Sequence, residues 1–276
     1  MDELDLVDAH THIVSGDGDR DRYPLESSVG ADQGWHEDRP VDADAMVRAA
    51  AAAGVGTVVF VQSLSCHGYD NRYAIDSARR FGHRAIAVGA ADGADAGAPA
   101  RLRREVLEGE MRGVRLSASG TPPSFESDAS RALVTEAAEL GIPVVLIGGA
   151  AQLPSVARLA AAHSTVPFVL DHCGFADLRE PASLPHASGL LALAEHANVA
   201  CKVSSINLAG TPDPQSLWTT LVARFGSDRV LWGSDYPHSN GRGYDALVAL
   251  ARRTTEVLGA RARADVLGGT ARRLWP

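Results

Sequence analysis

The feature that most constrains the fold is an alternation of short apolar runs with helical segments, repeated eight times along 276 residues. A helical pattern follows each apolar run, and strict βα alternation predicts parallel strands joined by right-handed crossovers. Eight such units in this length favour one α/β domain over residues 1–276, a (β/α)₈ TIM barrel, over an open doubly wound sheet. The predicted strands are residues 4–7, 57–61, 84–90, 113–116, 143–147, 167–170, 199–203 and 229–232.

The composition limits the kinds of partner. A formal charge of −8 and a pI near 5.7 argue against a nucleic-acid binder, and we expect a small-molecule substrate instead. No run approaches the roughly 18 apolar residues that a membrane span needs, so we expect no membrane association. The 3 cysteines are scattered, without a disulfide framework or a CxxC site, which favours a reduced, cytoplasmic setting. The sequence leaves the oligomeric state open, and a homo-oligomer is one of the alternatives.

Polar side chains gather where the predicted strands end. In a TIM barrel the carboxyl-terminal strand ends converge on one pocket. A pocket lined by imidazoles, carboxylates and cations is costly as simple packing, because a buried polar group without a partner costs about 2 kcal/mol or more. The sequence therefore predicts a catalytic site there. The residues at the strand ends are His10, His12, Gln62, Ser63, Arg115, His172, Lys202, Ser204 and Asp235.

Other candidates lie on the loops beyond these strand ends. Tyr69 follows the second strand and is a candidate substrate contact, although a solvated loop position is an equally good interpretation. His238 lies three residues after Asp235 and is a candidate proton donor. The long polar segment Ser15 to Pro40 is expected to be functional and to cover the pocket, because structureless loops of this length are uncommon inside compact domains.

Four stretches of the chain resemble one known family. They are LVDAHTHI at the first strand, DHCG at 171–174, WGSDYPH at 232–238 and the closing GGTARRLW. Together they resemble the amidohydrolase superfamily, and within it the amidohydrolase-related branch of lactonases and decarboxylases. The resemblance implies a (β/α)₈ barrel with its site at the carboxyl ends of the strands.

The resemblance also implies roles for individual residues. His10 and His12 match the pair that binds a metal or a carbonyl, His172 matches the sixth-strand histidine, and Asp235 matches the eighth-strand base. Arg115 resembles the arginine that binds substrate oxygens in the lactonases. Lys202 and Ser204 are similar to the KxS of their seventh strand.

One departure from the family pattern affects the mechanism. The fifth strand, residues 143–149, has no histidine, although the metal-dependent decarboxylases usually place a ligand there. A carboxylated lysine is excluded as well, because Lys202 is the only lysine and lies elsewhere. A divalent ion, most readily Zn²⁺, could be held by His10, His12, Asp235 and His172. Without an ion, the histidines and Arg115 could polarise an ester carbonyl while Asp235 takes a proton from water. Both mechanisms stay open at this point.

The favoured interpretation is a hydrolase that opens a lactone or related cyclic ester carrying carboxylate or hydroxyl groups. Asp235, His172, His10 and His12 are the expected catalytic residues. Arg115, Lys202, Gln62, Ser204, Tyr69 and His238 are the expected substrate contacts. The first alternative is a metal-dependent non-oxidative decarboxylase of the same family, and the second is a barrel that binds a ligand without turnover.

Overall fold

The computed structural model describes residues 5–26, 35–118, 125–180, 186–238 and 241–276. Its eight strands form one parallel sheet in which each strand pairs with the next along the chain, from first to last. Helices cover the outside, so the predicted single-domain (β/α)₈ barrel is confirmed. The strands are β1 (Leu6–Thr11), β2 (Val55–Val61), β3 (Ala85–Ala91), β4 (Gly113–Ser117), β5 (Val144–Ile147), β6 (Phe168–Leu170), β7 (Val199–Ser204) and β8 (Val230–Gly233).

Helices of one to four turns connect the strands. Several begin at side chains that accept a hydrogen bond from an otherwise unpaired backbone N–H of the first turn, as Asp42, Ser127 and Asp213 do. None of the described helices is long and apolar enough to cross a membrane. The helices are α1 (Trp35–Asp38), α2 (Ala43–Ala52), α3 (Leu64–His67), α4 (Arg72–Phe81), α5 (Ala98–Leu107), α6 (Asp128–Leu140), α7 (Leu153–Ala162), α8 (Ser188–Ala192), α9 (Ser205–Gly210), α10 (Pro214–Phe225), α11 (Tyr244–Thr254), α12 (Ala260–Ala264) and α13 (Thr270–Leu274).

The first strand differs from its prediction. Apolarity alone predicts a strand that ends at Val7, whereas β1 continues to Thr11 and includes His10. The extension is stable because its polar groups are paired inside the barrel: Asp8 accepts from the His10 amide, and the Thr11 hydroxyl donates to the Val59 carbonyl. Buried polar groups are tolerated when they are hydrogen-bonded, which hydropathy does not register.

The interior of the barrel is apolar at its amino-terminal end. The cluster that fills it consists of Val7, Ala9, Val59, Val61, Val88, Val145, Val169, Ala200, Leu231, Ala271 and Trp275. Trp275, which follows α13, packs against the start of β4. A Cβ on Gly113 would lie 3.0 Å from the indole Nε1, so a larger residue at this position would press on the indole. The closing segment of the chain is thus the floor of the barrel.

The barrel closes where β8 meets β1, and this seam carries the site. Beyond the end of β8, the Asp235 amide donates to the His10 carbonyl at 2.8 Å, and the His12 amide donates to the Tyr236 carbonyl at 2.8 Å. Asp8 reinforces the seam: its carboxylate accepts from the Ser234 amide at 2.7 Å and from the Tyr244 hydroxyl at 3.0 Å.

Gly233 permits this closeness, because a Cβ there would lie 2.5 Å from the Cβ of His10. The seam therefore fixes the backbones of His10 and Asp235 relative to each other.

The segment from Ser15 to Pro40 falls partly outside the described residues, at 27–34, and the side chain of Trp35 is also outside them. Within the described part, Tyr23 is buried and its hydroxyl donates to Asp76 at 2.7 Å. It lines a cavity of about 550 Å³ with Asp42 and Arg80 and anchors the segment by side-chain packing. That the segment covers the pocket stays a prediction.

Candidate active site

Two imidazoles and one carboxylate meet at the mouth of the barrel. The Nε2 atoms of His10 and His12 lie 3.1 Å apart. Asp235 Oδ1 lies 3.5 Å from His10 Nε2 and 3.4 Å from His12 Nε2. All three residues are buried. The first and last strands of the barrel thus bring together the residues that the sequence predicts to share a site.

The orientation of His12 follows from a single contact. Its Nδ1 lies 2.8 Å from the carbonyl oxygen of Val61, which can only accept, so Nδ1 carries the proton. The Nε2 of the neutral ring therefore points a lone pair towards His10. Burial lowers the pKa of His12 to about 3, so the ring is neutral at physiological pH. The pKa of His10 is also lowered, well below its usual value, by burial and by the Lys202 cation.

Asp171 is the residue at this site that the sequence prediction missed. Its carboxylate is fully buried and touches three site residues: Lys202 Nζ at 2.8 Å, Arg115 Nε at 3.0 Å and His10 Nδ1 at 3.3 Å. Burial alone would raise the pKa of Asp171, but the two cations and His10 hold it well below its usual range. The available signal was its position next to His172, at the end of an apolar strand.

His172 is oriented by the seventh strand. Its Nδ1 lies 2.7 Å from the Ser204 hydroxyl, which lies 3.2 Å from Asn207 Oδ1. That amide is fixed, since Oδ1 accepts from the Ser204 backbone N–H and Nδ2 donates to the His172 carbonyl. Both contacts are satisfied when the hydroxyl donates to Asn207 and His172 Nδ1 donates to the hydroxyl. His172 then presents its Nε2 lone pair to the site, with its ring centroid 4.8 Å from that of His10.

Asp235 and His172 follow the ends of their strands, and the backbone at both residues lies in the left-handed region. Asp235 has φ 59°, and His172 and Cys173 have φ 52° and 53°. Such conformations cost non-glycine residues on the order of 1–3 kcal/mol each and cluster at functional sites. Two hydrogen bonds hold these turns in place: the Asp235 backbone N–H donates to the His10 carbonyl, and Asn207 Nδ2 donates to the His172 carbonyl. The strain therefore falls on two of the residues expected to carry the chemistry.

Asp235 is buried and lies beside the imidazoles of His10 and His12. Burial raises its pKa, and His172 and His238 offset only part of that rise. A carboxylate with a raised pKa is a stronger base, which suits proton abstraction from water. His238 lies beside the cluster, its ring centroid 5.2 Å from that of His12, and burial lowers its pKa to about 4.

The remaining candidates have structural contacts that define what they do in the fold. The side-chain amide of Gln62 donates to the carbonyls of Gly68 and Asp70, and the backbone carbonyl of Gln62 accepts from Arg115 at 3.3 Å. Tyr69 is partly buried and lines a cavity of about 710 Å³ beside α5. A direct contact of Gln62 or Tyr69 with substrate stays a prediction.

His67, the last residue of α3, ties that helix to the segment after β1: its Nδ1 donates to the Pro24 carbonyl, and its Nε2 accepts from the Ser15 amide. It is buried, not solvated.

The donor set fits a divalent metal ion. The atoms His10 Nε2, His12 Nε2 and Asp235 Oδ1 are mutually 3.1–3.5 Å apart. Ligands bonded to zinc at about 2.0–2.1 Å in a tetrahedron lie about 3.3 Å from one another. His12 is already fixed with its Nε2 lone pair facing this position, and two imidazoles with a carboxylate are a usual zinc set. His10, Asp171 and His172 form a second group with potential ligand atoms within 4.8 Å of one another.

Comparison with known proteins places the chain in a family. Residues 7–276 match the family described as Amidohydrolase, so the chain belongs to that family. This confirms the resemblance carried by the four motifs, and it extends over nearly the whole barrel. Enzymes of the hydrolase class are found among the relatives.

Two curated relatives are named for the substrates they hydrolyse. An L-fucono-1,5-lactonase of Burkholderia ambifaria is 28% identical over 284 residues, which cover 96% of this chain and 93% of the relative. A 2-pyrone-4,6-dicarboxylate hydrolase of Comamonas testosteroni is 28% identical over 85% of this chain and 77% of its own length. A crystal structure of an amidohydrolase from Burkholderia multivorans with bound zinc has a TM-score of 0.72 and 24% identity, covering 98% of this chain and 99% of that one. That last likeness concerns the fold.

Proposed function

We propose that this protein is a lactonase that opens a hydroxyl-bearing, uncharged cyclic ester. The observation that supports this proposal most directly is the position of Asp235 beside His10 and His12, with its carboxylate oxygen 3.4–3.5 Å from two imidazole nitrogens. The relatives named as lactone hydrolases support the reaction class.

Asp235 is proposed to accept a proton from the attacking water. Its buried position and raised pKa make the carboxylate more basic than an exposed aspartate. Oxygen attack at the lactone carbonyl places negative charge on the carbonyl oxygen, and preorganised donors stabilise such a charge. His10 borders the same space, and its Nε2–H is the group proposed to face that oxygen. The bond between the carbonyl carbon and the ring oxygen breaks as the ring opens, and the ring oxygen takes the proton that Asp235 removed from water, which restores the carboxylate.

The same residues could hold a divalent ion. His10 and His12 would bind it through Nε2, and Asp235 through Oδ1, with His172 adjacent. A bound ion of this kind polarises a carbonyl and lowers the pKa of water. Asp171 and Lys202 would then hold His10 at its Nδ1 side, and Arg115 would hold Asp171, whichever group lies at Nε2.

Charge balance favours an uncharged substrate over a dicarboxylate. Arg115 and Lys202 are the cations buried at the mouth among the described residues, and both are paired with Asp171. With Asp235 included, two positive charges face two negative charges. A dicarboxylate would add two negative charges without an uncommitted buried cation to receive them, which is unfavourable in a desolvated site.

We therefore favour a lactone of a polyhydroxy acid over one of an aromatic dicarboxylate. The contact between Arg115 or Lys202 and a substrate carboxylate, expected from the sequence, is not part of this proposal.

The test is a panel of sugar 1,5-lactones and 1,4-lactones followed by proton release in weak buffer. The proposal predicts ring opening with one proton released for each lactone consumed and no carbon dioxide formed. Carbon dioxide release from hydroxybenzoates, with no lactone turnover, would instead favour the decarboxylase. Binding of these compounds without turnover of either kind would favour the non-catalytic barrel.

A further inference from the structure

The nitrogen of His10 that points away from the cluster has two different partners. Lys202 Nζ lies 3.1 Å from His10 Nδ1, and Asp171 Oδ1 lies 3.3 Å from the same atom. An ammonium or amine nitrogen can donate to that position, whereas a carboxylate oxygen can only accept from it. The two partners therefore suit opposite tautomers of the same ring. They also contact each other, at 2.8 Å.

The neighbour of His10 Nε2 decides which tautomer the His10 ring adopts. The Nε2 of His12 carries a lone pair, because its Nδ1 donates to the Val61 carbonyl. With nothing between the rings, His10 Nε2 must carry the proton, since two facing lone pairs 3.1 Å apart repel. His10 Nδ1 is then a lone pair, and Lys202 is the donor that reaches it.

The opposite tautomer is needed when both Nε2 atoms act as ligands. Each must then offer a lone pair to the cation, so the proton of His10 lies on Nδ1. Asp171 Oδ1 is the acceptor that reaches it, in the way that carboxylates behind metal-bound histidines usually do. Arg115 holds the other oxygen of Asp171 at 3.0 Å, which keeps Oδ1 turned towards His10 in both arrangements.

We propose that Lys202 and Asp171 are a pair of positioning residues that lets His10 exchange tautomers, with Lys202 supporting the ion-free site and Asp171 supporting the ion-bound site. The ring holds one proton in both states, and only the nitrogen that carries it changes. In the ion-free state, His10 Nε2–H is a donor available to a carbonyl oxygen. That last point rests on the proposed lactonase function, whereas the tautomer exchange itself does not.

Nitrogen-15 NMR of histidine-labelled wild-type protein tests the proposal directly. Ring nitrogens with and without a proton have well-separated shifts, and the His10 signals are assigned by their loss in His10→Gln. In chelator we expect His10 Nε2 to be protonated and Nδ1 to be bare. With saturating Zn²⁺ alone, we expect Nδ1 to be protonated and Nε2 to show the shift of a metal ligand. Protonated Nδ1 in chelator, or no zinc binding at millimolar concentration, would overturn the proposal.

Variants of the two residues should move the equilibrium in opposite directions. Lys202→Met keeps the unbranched shape of the side chain up to the ε position but removes the donor, so His10 should hold its proton on Nδ1 even in chelator, and zinc affinity should rise. Asp171→Asn should weaken zinc binding about 10- to 100-fold, the range found for removal of such outer partners. A Lys202→Met protein with the wild-type His10 tautomer in chelator would contradict the proposal. If Lys202→Met does not fold, the wild-type spectra with and without zinc still decide the question.

Ser204→Ala is the matched control. It removes a hydrogen bond from another imidazole of the site, His172, at the end of the same strand as Lys202. General loosening of the mouth would change the His10 spectrum in this variant too, whereas the proposal predicts an unchanged His10 tautomer. Lactone hydrolysis is measured separately, so a protein that exchanges tautomers but opens no lactone would refute the proposed function and leave this inference intact.

Discussion

The two ends of the barrel interior are formed by the same eight strands but have opposite chemistry. At the amino-terminal end, Trp275 and Leu231 belong to a cluster of apolar side chains. At the carboxyl-terminal end, His10, Asp171 and Asp235 are as deeply buried as that cluster, yet they are ionisable. Burial of apolar surface at the amino-terminal end stabilises the fold. Desolvated polar groups and strained backbone at the carboxyl-terminal end destabilise it. The comparison predicts that stability and activity can be changed separately.

The largest expected effect concerns the floor. Trp275→Ala should destabilise the fold by about 3–5 kcal/mol, because it removes a fully packed indole and leaves a cavity. Catalytic constants measured at low temperature, where the protein is still folded, should change less than in the mouth variants, because the indole reaches the site only through Lys202, whose Nζ lies 5.8 Å from the ring centroid. Chemical denaturation measures the first and initial rates measure the second. Leu107→Ala is the control, since Leu107 is 67% exposed on α5 and its loss should change neither.

An active-site substitution should show the reverse pattern. Asp235→Asn is nearly isosteric but cannot accept a proton, so turnover should fall about 10²-fold or more while the denaturation midpoint changes little. Asp228→Asn is the matched control, because Asp228 lies exposed just before the other end of β8 and should give wild-type rates. Equal losses of rate in both variants would mean that the effect is not specific to the mouth.

Much of this division could be predicted from sequence, and the reasons differ between the two ends. The strands were predictable because buried β-branched runs leave a local signal, and β2 and β7 lie within two residues of their predicted ends. His10, His12, His172 and Asp235 were predictable because their residue types follow such runs. Asp171 was missed because its partners come from β1, β4 and β7, a long-range arrangement with no local pattern.

The contact with Asp171 changes the role expected for Arg115. The sequence alone predicted that its guanidinium binds a substrate oxygen, whereas the structure places Nε on Asp171 and a terminal nitrogen on the Gln62 carbonyl. Arg115→Lys cannot make both contacts from one planar group, so we expect kcat/KM to fall about tenfold, or about 1.4 kcal/mol. The loss should be similar for charged and uncharged substrates. A loss confined to charged substrates would restore the direct contact.

The smallest expected effect is a pH dependence that belongs to the mouth. The pKa of His12 is lowered to about 3 and that of His238 to about 4, both from 6.5, so the unfolded chain binds more protons between these values. Stability from these groups is present above pH 6.5 and is lost as the pH falls. Asp8, with a pKa raised to about 6, and Asp235, whose pKa is also raised, oppose this trend. They are outnumbered by the buried imidazoles with a lowered pKa, which are His10, His12, His172 and His238.

In chelator, the free energy of unfolding should therefore rise by about 1 kcal/mol per pH unit from pH 4 to 6. Denaturant titrations at several pH values measure this slope. His12→Gln should flatten it, because the variant has one fewer imidazole to be protonated on unfolding. A slope of the opposite sign would mean that the buried carboxylates dominate.

The most direct test of the account is the ratio of kcat/KM values for an uncharged sugar 1,5-lactone and for 2-pyrone-4,6-dicarboxylate, measured with the wild-type protein in one buffer. Arg115 and Lys202 are both paired with Asp171, so the described part of the site has no other buried cation for two substrate carboxylates. The account predicts a ratio of about 10² or more in favour of the sugar lactone, equivalent to about 2.7 kcal/mol. A ratio below one would contradict it.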